Sequence, residues 1–397
     1  MELSLSELIE RRARFAALME RSFPDWDTAI IMDNTNQYYF TGTMQDGILL
    51  IYKDGSCLYG IRRSFSRGKE ESPLPDREIV PIATYRDLAA IRGPRLGNVY
   101  IEGDTMPVIT LERLKKYFEM ASVNYLDAPL RVLRSVKSPY ELEWIRRSGK
   151  KHQELLEERV PGLLREGMSE AEFMGELIAA MHRLGYHGLS RFHQFQTEMI
   201  VGQIGFGTNS LYPTRFDGPD GARGNGPAAP FAGDSSRRLA RGDLVFVDIG
   251  FGIGGYHSDK TQVYLFGQKV PEALEREQRR CIDIQKRLAG QLRPGALPSR
   301  IYEDLLASIP PDQLQYFMGV DPGHRVKFLG HGVGLQVDEL PVIARGFDAP
   351  LEENMVIALE PKQGAPGIGM VGVEDTYIVQ KDGGLCVTGG GRDIMVV

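Results

Sequence analysis

The chain has 397 residues, with 47 lysines and arginines against 53 aspartates and glutamates, which gives a formal net charge of −6 at pH 7. Apolar residues make up 42% and charged residues 25%, values that are typical of globular proteins and exclude a disordered chain. The absence of a collagen or heptad period excludes collagen-like and coiled-coil chains. The length predicts two or three domains. The mild acidity argues against a nucleic-acid partner, because phosphate binding normally requires a basic surface.

The first 23 residues predict an amphipathic helix that lacks the apolar core of a secretory signal peptide. No stretch approaches the roughly 18 consecutive apolar residues that a membrane-spanning helix requires. The three cysteines, Cys57, Cys281 and Cys386, lie too far apart for a clustered metal motif. Because their number is odd and no secretory signal precedes them, we expect no disulfide framework. Together these features predict a cytoplasmic protein without a membrane partner.

Short strand-like runs alternate with turns and brief helical segments from residue 27 to about residue 135, which predicts an α/β domain. A strong helix start follows. Ser138 is a good N-cap, Pro139 suits the first helical position, and Glu141 completes a capping box. We therefore expect a first domain over residues 1–135 and a second over residues 136–397.

The second domain is predicted to contain helices, strands, helices and strands in that order, which indicates two similar halves. A second capping box, from Ser169 to Glu172, begins the next helix. Cys281 falls on the apolar face of a later helix and is expected in the core. The Gly/Pro-rich segment 218–233 is too long for an ordinary connection, so it is either mobile or functional.

Two β-rich runs surround a glycine-rich centre between Leu244 and Phe266. A hairpin turn centred on Ile253-Gly254 would place Asp248 directly opposite Asp259, with Cβ atoms about 5 Å apart. Apposed buried carboxylates are destabilising unless a cation lies between them, and a divalent metal is the natural one. The alternative is a bulge that turns both acids into water. A strand follows the glycines where a nucleotide-binding motif requires a helix, which excludes that motif.

A second pair of acids lies near the carboxyl end. Glu360 ends one β-like run and Glu374 lies in the next, and the intervening loop favours a hairpin, whereas Asp375 alternates to the other face. His331, bracketed by glycines, is either a turn residue or a metal ligand, and the four nearby acids favour the ligand. Four carboxylates and one imidazole suit two divalent ions roughly 3.5–4 Å apart that activate a water for hydrolysis.

In order and spacing these motifs resemble the creatinase/prolidase/aminopeptidase P group of metallopeptidases, which has a pita-bread fold. The resemblance covers nearly the whole chain and is carried by Asp248-Ile249-Gly250, Tyr256 to Thr261, Gly330 to Leu335, Leu359-Glu360-Pro361 and Val373-Glu374-Asp375. It implies an α+β fold. Residues 1–135 would form a smaller α/β domain that often helps to build a dimer, and residues 136–397 a pita-bread catalytic domain with an internal duplication.

The resemblance also implies a dinuclear metal site with five ligands: Asp248, Asp259, His331, Glu360 and Glu374. The two ions would be divalent, with manganese expected first and cobalt, zinc or iron as alternatives. Glu360 would also be the general base for the attacking water. His257 shares a strand face with Asp259, and it is expected either beside the ligands or in a buried, hydrogen-bonded structural role.

The sequence departs from the family pattern around the substrate. Asp338 stands where family members have a histidine that stabilises the tetrahedral intermediate, and an ionised aspartate cannot donate that hydrogen bond. A second family histidine aligns near Thr214, and the adjacent Arg215 is a candidate for supplying positive charge. Gln262 and Gly372 stand in the places of two family arginines.

These observations leave three hypotheses. The first is a metal-dependent hydrolase of Xaa-Pro or related peptide bonds, active as a homodimer. The second is different chemistry on the same metal scaffold, such as a lyase or amidinohydrolase acting on a small carboxylated molecule. The third is a non-catalytic binding module, against which the complete ligand set argues, because apposed carboxylates without a metal are costly.

Overall fold

The computed structural model describes residues 2–397, which divide into two compact units, one ending at Arg134 and the other spanning Ser135–Val397. The helix predicted for residues 1–23 is present as Leu5–Ser22, and Met1 lies outside the described residues. Among the described residues, no helix combines the length and the apolarity needed to cross a bilayer.

The first unit is built on a mixed six-stranded sheet with the order β4-β3-β2-β1-β5-β6. The strands are β1 (Thr28–Ile31), β2 (Gly47–Tyr52), β3 (Cys57–Ile61), β4 (Ile79–Pro81), β5 (Arg95–Ile101) and β6 (Glu119–Tyr125). The helices are α1 (Leu5–Ser22), α2 (Asn34–Thr41), α3 (Phe65–Glu71), α4 (Tyr85–Arg92), α5 (Val108–Leu114) and α6 (Asp127–Ser135). Strands β1, β2 and β3 are buried along their whole length, as expected for strands that are covered on both faces.

The second unit contains four α-helices and thirteen strands among the described residues. The helices are α7 (Pro139–Glu154), α8 (Glu170–Arg183), α9 (Glu272–Ala289) and α10 (Pro298–Ser308). The strands are β7 (Gly202–Phe206), β8 (Leu244–Ile253), β9 (Tyr256–Leu265), β10 (Gly319–Asp321), β11 (His324–Arg325), β12 (Phe328–Gly332), β13 (Glu339–Ala344), β14 (Val356–Leu359), β15 (Lys362–Ala365), β16 (Gly369–Gly372), β17 (Asp375–Gln380), β18 (Gly383–Cys386) and β19 (Met395–Val396).

Two larger sheets organise this unit, one with the order β19-β9-β8-β7 and one with the order β13-β12-β14-β17-β18. The pairs β15-β16 and β10-β11 form separate two-stranded sheets. The chain thus follows the predicted order of helices, strands, helices and strands. A bridge between Thr261 and Glu374 joins the two halves, since the Thr261 N–H donates to the Glu374 carbonyl at 3.2 Å.

Local sequence signals predict several element ends correctly. Both predicted capping boxes are confirmed, from Ser138 to Glu141 at the start of α7 and from Ser169 to Glu172 at the start of α8. Cys281 is fully buried in α9, as predicted for a core residue, and all three cysteines are free thiols.

The predicted register of the β8-β9 hairpin is wrong by two residues. Asp248 lies opposite Thr261, and Asp259 lies opposite Gly250. The reason is the turn, which uses Gly254 and Gly255 with φ of +60° and +91°, a conformation that favours two consecutive glycines. Because the shift is even, Asp248 and Asp259 still project from the same face, as diagonal rather than direct neighbours.

Candidate metal centre

The five residues predicted as metal ligands converge in the second unit. They lie on or beside strands β8, β9, β12, β14 and β17, which belong to both larger sheets. Asp259, Glu360 and Glu374 are buried, and the side chains of Asp248 and His331 are only 14% and 16% exposed. The alternative in which a bulge turns the acids of the β8-β9 hairpin into water is therefore excluded by their burial.

His331 faces three carboxylates through one ring nitrogen. Its Nε2 lies 3.4 Å from Glu360 Oε1, 3.6 Å from Glu374 Oε1 and 3.9 Å from Asp259 Oδ2. Its Nδ1–H donates to the Gly332 carbonyl at 3.2 Å, which orients Nε2 toward the acids. Burial lowers the pKa of His331, but the surrounding carboxylates outweigh it and raise the pKa to about 10.

The residues on this side of the cluster fit a divalent ion. Asp259, His331 and Glu374 offer ligand atoms that all lie within 4.8 Å of one another. Glu374 Oε1 is buried and has no hydrogen-bond partner within the described part of the chain. A buried carboxylate oxygen requires a partner, and a cation bound by carboxylates and imidazole provides one.

Lys362 lies on the other side of the cluster, and sequence reasoning did not identify it. Its buried Nζ lies 2.7 Å from Asp248 Oδ2, 2.8 Å from Glu374 Oε2 and 3.0 Å from Glu360 Oε2. Burial lowers the pKa of Lys362, but these carboxylates outweigh it and hold the pKa well above its usual range. Lys362 Nζ therefore occupies the space between Asp248 and the two glutamates, which is where a second ion of the predicted ligand set would lie.

A further acid comes from the segment 218–233, which the sequence left as either mobile or functional. Asp220 is 4% exposed, and its Oδ1 lies 3.7 Å from Lys362 Nζ. Burial and the neighbouring Asp248 raise its pKa well above the usual range. This contact favours a functional role for the segment.

The acids of the cluster are in unequal electrostatic environments. Burial raises the pKa of Asp248 to about 6 against the opposing effect of Lys362, and burial together with Glu374 raises the pKa of Glu360 to about 7. Burial also raises the pKa of Glu374, but Lys362 and His331 outweigh it, so that pKa lies well below its usual range. Lys362 and a protonated His331 supply two positive charges to four carboxylates, those of Asp248, Asp259, Glu360 and Glu374, which favours a further cation.

Asp338, which stands in the place of a family histidine, contacts backbone and not the five predicted ligands. Its two carboxylate oxygens accept hydrogen bonds from the N–H groups of His193, at 2.5 Å, and Gln194, at 3.2 Å. Burial raises the pKa of Asp338, and these two hydrogen bonds oppose the rise. The Asp338 side chain is thus an acceptor of two backbone hydrogen bonds from the segment that contains His193 and Gln194.

The other predicted substrate-binding residues lie in separate surroundings. Thr214 Oγ1 accepts a hydrogen bond from the Phe216 N–H at 3.2 Å, within its own turn. Arg215 is exposed and donates to the Gln196 carbonyl. No contact of either side chain with the five predicted ligands is present among the described residues, so their role in substrate binding stays a prediction.

His257 is fully buried and hydrogen-bonded at both ring nitrogens. Its Nδ1–H donates to the Gly334 carbonyl at 3.2 Å, and its Nε2 accepts from the Arg191 N–H at 3.4 Å. Burial and the neighbouring His187 lower its pKa to about 3, so the ring is neutral. Of the two roles left open by the sequence, these contacts favour the structural one.

Comparison with known proteins identifies the family. The sequence model of metallopeptidase family M24 matches residues 143–381, and that of the creatinase/prolidase N-terminal domain matches residues 11–136. The chain belongs to metallopeptidase family M24. The family predicted from the motifs is thereby confirmed, together with a creatinase-type amino-terminal domain followed by a pita-bread domain.

Relatives align over most of the chain. The Xaa-Pro dipeptidase of Pyrococcus furiosus is 27% identical over 394 residues, covering 98% of this chain and 100% of the relative. A probable dipeptidase of Mycobacterium bovis, PepE, is 31% identical over 304 residues, 74% of this chain and 69% of the relative.

Solved structures show the same fold. The prolidase of Pyrococcus horikoshii matches with a TM-score of 0.76 and 25% identity, covering 97% of this chain and 100% of that chain. An Xaa-Pro dipeptidase from Bacillus anthracis matches with a TM-score of 0.78 and 20% identity, covering 98% and 100% respectively. The predicted fold class is confirmed by these matches.

Proposed function

We propose that the protein is a metal-dependent hydrolase that cleaves Xaa-Pro or closely related peptide bonds at the site formed by Asp259, His331, Glu360 and Glu374. One observation carries this proposal. Glu374 Oε1, which makes no hydrogen bond among the described residues, faces His331 Nε2 at 3.6 Å in a cluster that fits a divalent ion, within a chain of a metallopeptidase family. The alignment with an Xaa-Pro dipeptidase over 98% of the chain supports the substrate class.

The chain's own residues have distinct roles in this proposal. A bound divalent ion supplies Lewis acidity toward the scissile carbonyl. Glu360, with Oε1 at 3.4 Å from His331 Nε2, accepts the proton of the attacking water and delivers it to the departing proline nitrogen. Asp259 and Glu374 provide the remaining donors, and the hydrogen bond from His331 to Gly332 keeps the imidazole oriented.

The finer predictions from the sequence belong to this proposal. Manganese is the expected ion, with cobalt, zinc or iron as alternatives, and the protein acts on a peptide as a homodimer in the cytoplasm. A water shared by two ions would require a second ion on the Asp248 side of the cluster, where Lys362 Nζ lies 2.7 Å from Asp248 Oδ2.

A matched dipeptide panel tests the substrate. Metal-loaded protein is incubated with several Xaa-Pro dipeptides and with the corresponding Xaa-Ala dipeptides, and the released amino acids are quantified. We expect release of proline from at least one Xaa-Pro dipeptide, its loss after chelation and its return with added manganese. Metal-loaded protein that cleaves no Xaa-Pro bond, in dipeptides or in longer peptides, would contradict the proposal.

A second candidate is a lyase or amidinohydrolase that acts on a small carboxylated molecule with the same donors. The observation in its favour is Asp338, which accepts two backbone N–H groups where the family pattern has a histidine donor. Turnover of such molecules by metal-loaded protein, without peptide cleavage, would favour this candidate.

A further inference from the structure

The Lys362 ammonium donates all of its hydrogen bonds to carboxylates of the candidate metal centre. It donates to Asp248 Oδ2, Glu374 Oε2 and Glu360 Oε2 at 2.7, 2.8 and 3.0 Å. A lysine has three N–H donors, so these three bonds use all of them. Because the side chain is fully buried, the carboxylates replace the water that a charged ammonium would otherwise require.

The two glutamates divide their oxygens between two positive positions. Oε2 of Glu360 and Oε2 of Glu374 accept from Lys362, whereas both Oε1 atoms face His331 Nε2, at 3.4 and 3.6 Å. Each carboxylate thus has one oxygen on the Lys362 ammonium and the other beside His331, where a divalent ion would fit. Bridging carboxylates of this kind hold two cations close together in dinuclear sites.

Asp248 belongs to the lysine side of this arrangement. Its Oδ2 accepts from Lys362, and its Oδ1 accepts from Thr261 Oγ1 at 2.7 Å. Both of its oxygens are therefore hydrogen-bonded, whereas Oε1 of Glu374 makes no hydrogen bond among the described residues. A metal ion bound to Asp248 would have to displace the ammonium or lie against it, and like charges repel strongly where water is excluded.

The hairpin around Lys362 leaves room for the lysine stem. Gly372 lies opposite Lys362 in the β15-β16 pairing, with φ of +141°. A Cβ at Gly372 would lie 2.6 Å from the Lys362 Cα and 3.0 Å from its Cγ, so a side chain there would displace the stem. The backbone thus accommodates the lysine in its buried position.

We infer that the Lys362 ammonium replaces one of two cations in this centre, so that the protein binds a single divalent ion through Asp259, His331, Glu360 and Glu374. The inference rests on the metal dependence of the proposed function but not on its substrate. Asp248, one of the five ligands implied by the family resemblance, then accepts a hydrogen bond from Lys362 and does not bind a metal.

Metal stoichiometry tests this inference directly. Protein stripped with a chelator is reloaded with excess Mn²⁺ and desalted, and manganese per chain is measured by elemental analysis. Frozen samples are examined by electron paramagnetic resonance, which separates isolated from spin-coupled Mn²⁺. We expect one ion per chain with an isolated-ion spectrum in the wild type, and two ions with a coupled spectrum in Lys362→Gly and Lys362→Ala.

Lys137→Ala is the matched control, because Lys137 is also buried in an ion pair, with Glu339 at 3.2 Å, outside the cluster. It should retain one ion. Two ions in the wild type would overturn the inference, as would one ion in folded Lys362 variants. If those variants do not fold, the number of manganese ions per wild-type chain and their spectrum still test the inference.

The same samples separate this inference from the proposed function. A wild type that binds no ion even in excess Mn²⁺ would overturn both. One bound ion without cleavage of any Xaa-Pro peptide would overturn the proposed substrate and support the single-ion centre.

Discussion

The two carboxylate oxygens of Glu374 lie in different surroundings, one on the Lys362 side of the centre and the other on the His331 side. Oε2 lies 2.8 Å from the Lys362 ammonium, whereas Oε1 is buried, makes no hydrogen bond among the described residues and lies 3.6 Å from His331 Nε2. The lysine stabilises the negative charge of the cluster from one side. On the His331 side, the buried carboxylate oxygens need a cation or a proton as a partner.

Removal of a single donor should abolish metal binding without unfolding the protein. Asp259→Ala and Glu374→Ala are each expected to lower bound metal from one ion per chain to none after desalting, because too few donors remain. Elemental analysis measures the loss, and circular dichroism checks the fold. Glu353→Ala, which removes an exposed carboxylate, is the control and should bind metal normally. Metal retained in both site variants would contradict the assignment.

At this scale the sequence predicted the acids and the histidine but not the lysine. The resemblance to a known family singled out the four acids and the histidine, and these five residues converge in the structure. Lys362 follows Glu360-Pro361 without any local signal, and Asp220 lies in a segment rich in glycine and proline. Their proximity to the cluster depends on tertiary packing, to which a single sequence gives no access.

Among the elements, the β8-β9 hairpin positions two of the acids, and its turn depends on glycine. Gly254 has φ of +60°, and an added Cβ would lie 2.8 Å from ring atoms of Trp144. We expect Gly254→Ala to lower the free energy of unfolding by about 2 kcal/mol more than Gly295→Ala, because only the first adds a clash. Gly295 has a comparable φ of +88° and nothing within 4 Å of the added Cβ.

Urea unfolding followed by Trp144 fluorescence, in a Trp26→Phe background, measures this difference. Equal losses of stability in the two alanine variants would show that the turn tolerates a side chain. In that case steric restriction at Gly254 would not explain why the hairpin turns at Gly254 and Gly255.

In the first unit, a buried carboxylate beyond the end of β5 makes stability depend on pH. Glu102 is 1% exposed and accepts from the N–H groups of Met32 and Asp33 at 2.6 and 2.8 Å. Burial raises its pKa from 4.5 to about 7. Because the folded pKa exceeds the unfolded one, this contribution to stability is complete below pH 4.5 and is lost as the pH rises to 7.

We therefore expect the free energy of unfolding to fall by up to roughly 3 kcal/mol across this window relative to Glu102→Gln, which does not titrate. Trp26 fluorescence in a Trp144→Phe background reports the first unit during urea unfolding. Parallel pH profiles for the proteins with and without the Glu102→Gln substitution would contradict the assigned shift.

The elements themselves were largely predictable, because their signals are local. Ser138 and Ser169 with their capping glutamates determine helix starts within a few residues of sequence. The hairpin register was not predictable, because consecutive glycines at 254 and 255 leave the centre of the turn ambiguous. The face on which Asp248 and Asp259 lie was predictable, since it changes only with an odd shift.

For the molecule as a whole, the centre exists only when both halves of the second unit assemble. Asp248 and Asp259 come from the β8-β9 hairpin, whereas His331, Glu360 and Glu374 come from the second half. The Thr261–Glu374 bridge connects the two at the site itself. The candidate centre therefore draws its side chains from both of the halves that the sequence indicated.

Metal-dependent cleavage of Xaa-Pro bonds is tested most directly by a titration of metal-free protein with Mn²⁺, with release of proline from an Xaa-Pro dipeptide as the readout. We expect hydrolysis to rise in proportion to added metal and to reach its plateau at one equivalent per chain. Binding of manganese without release of proline from any Xaa-Pro dipeptide would contradict this expectation.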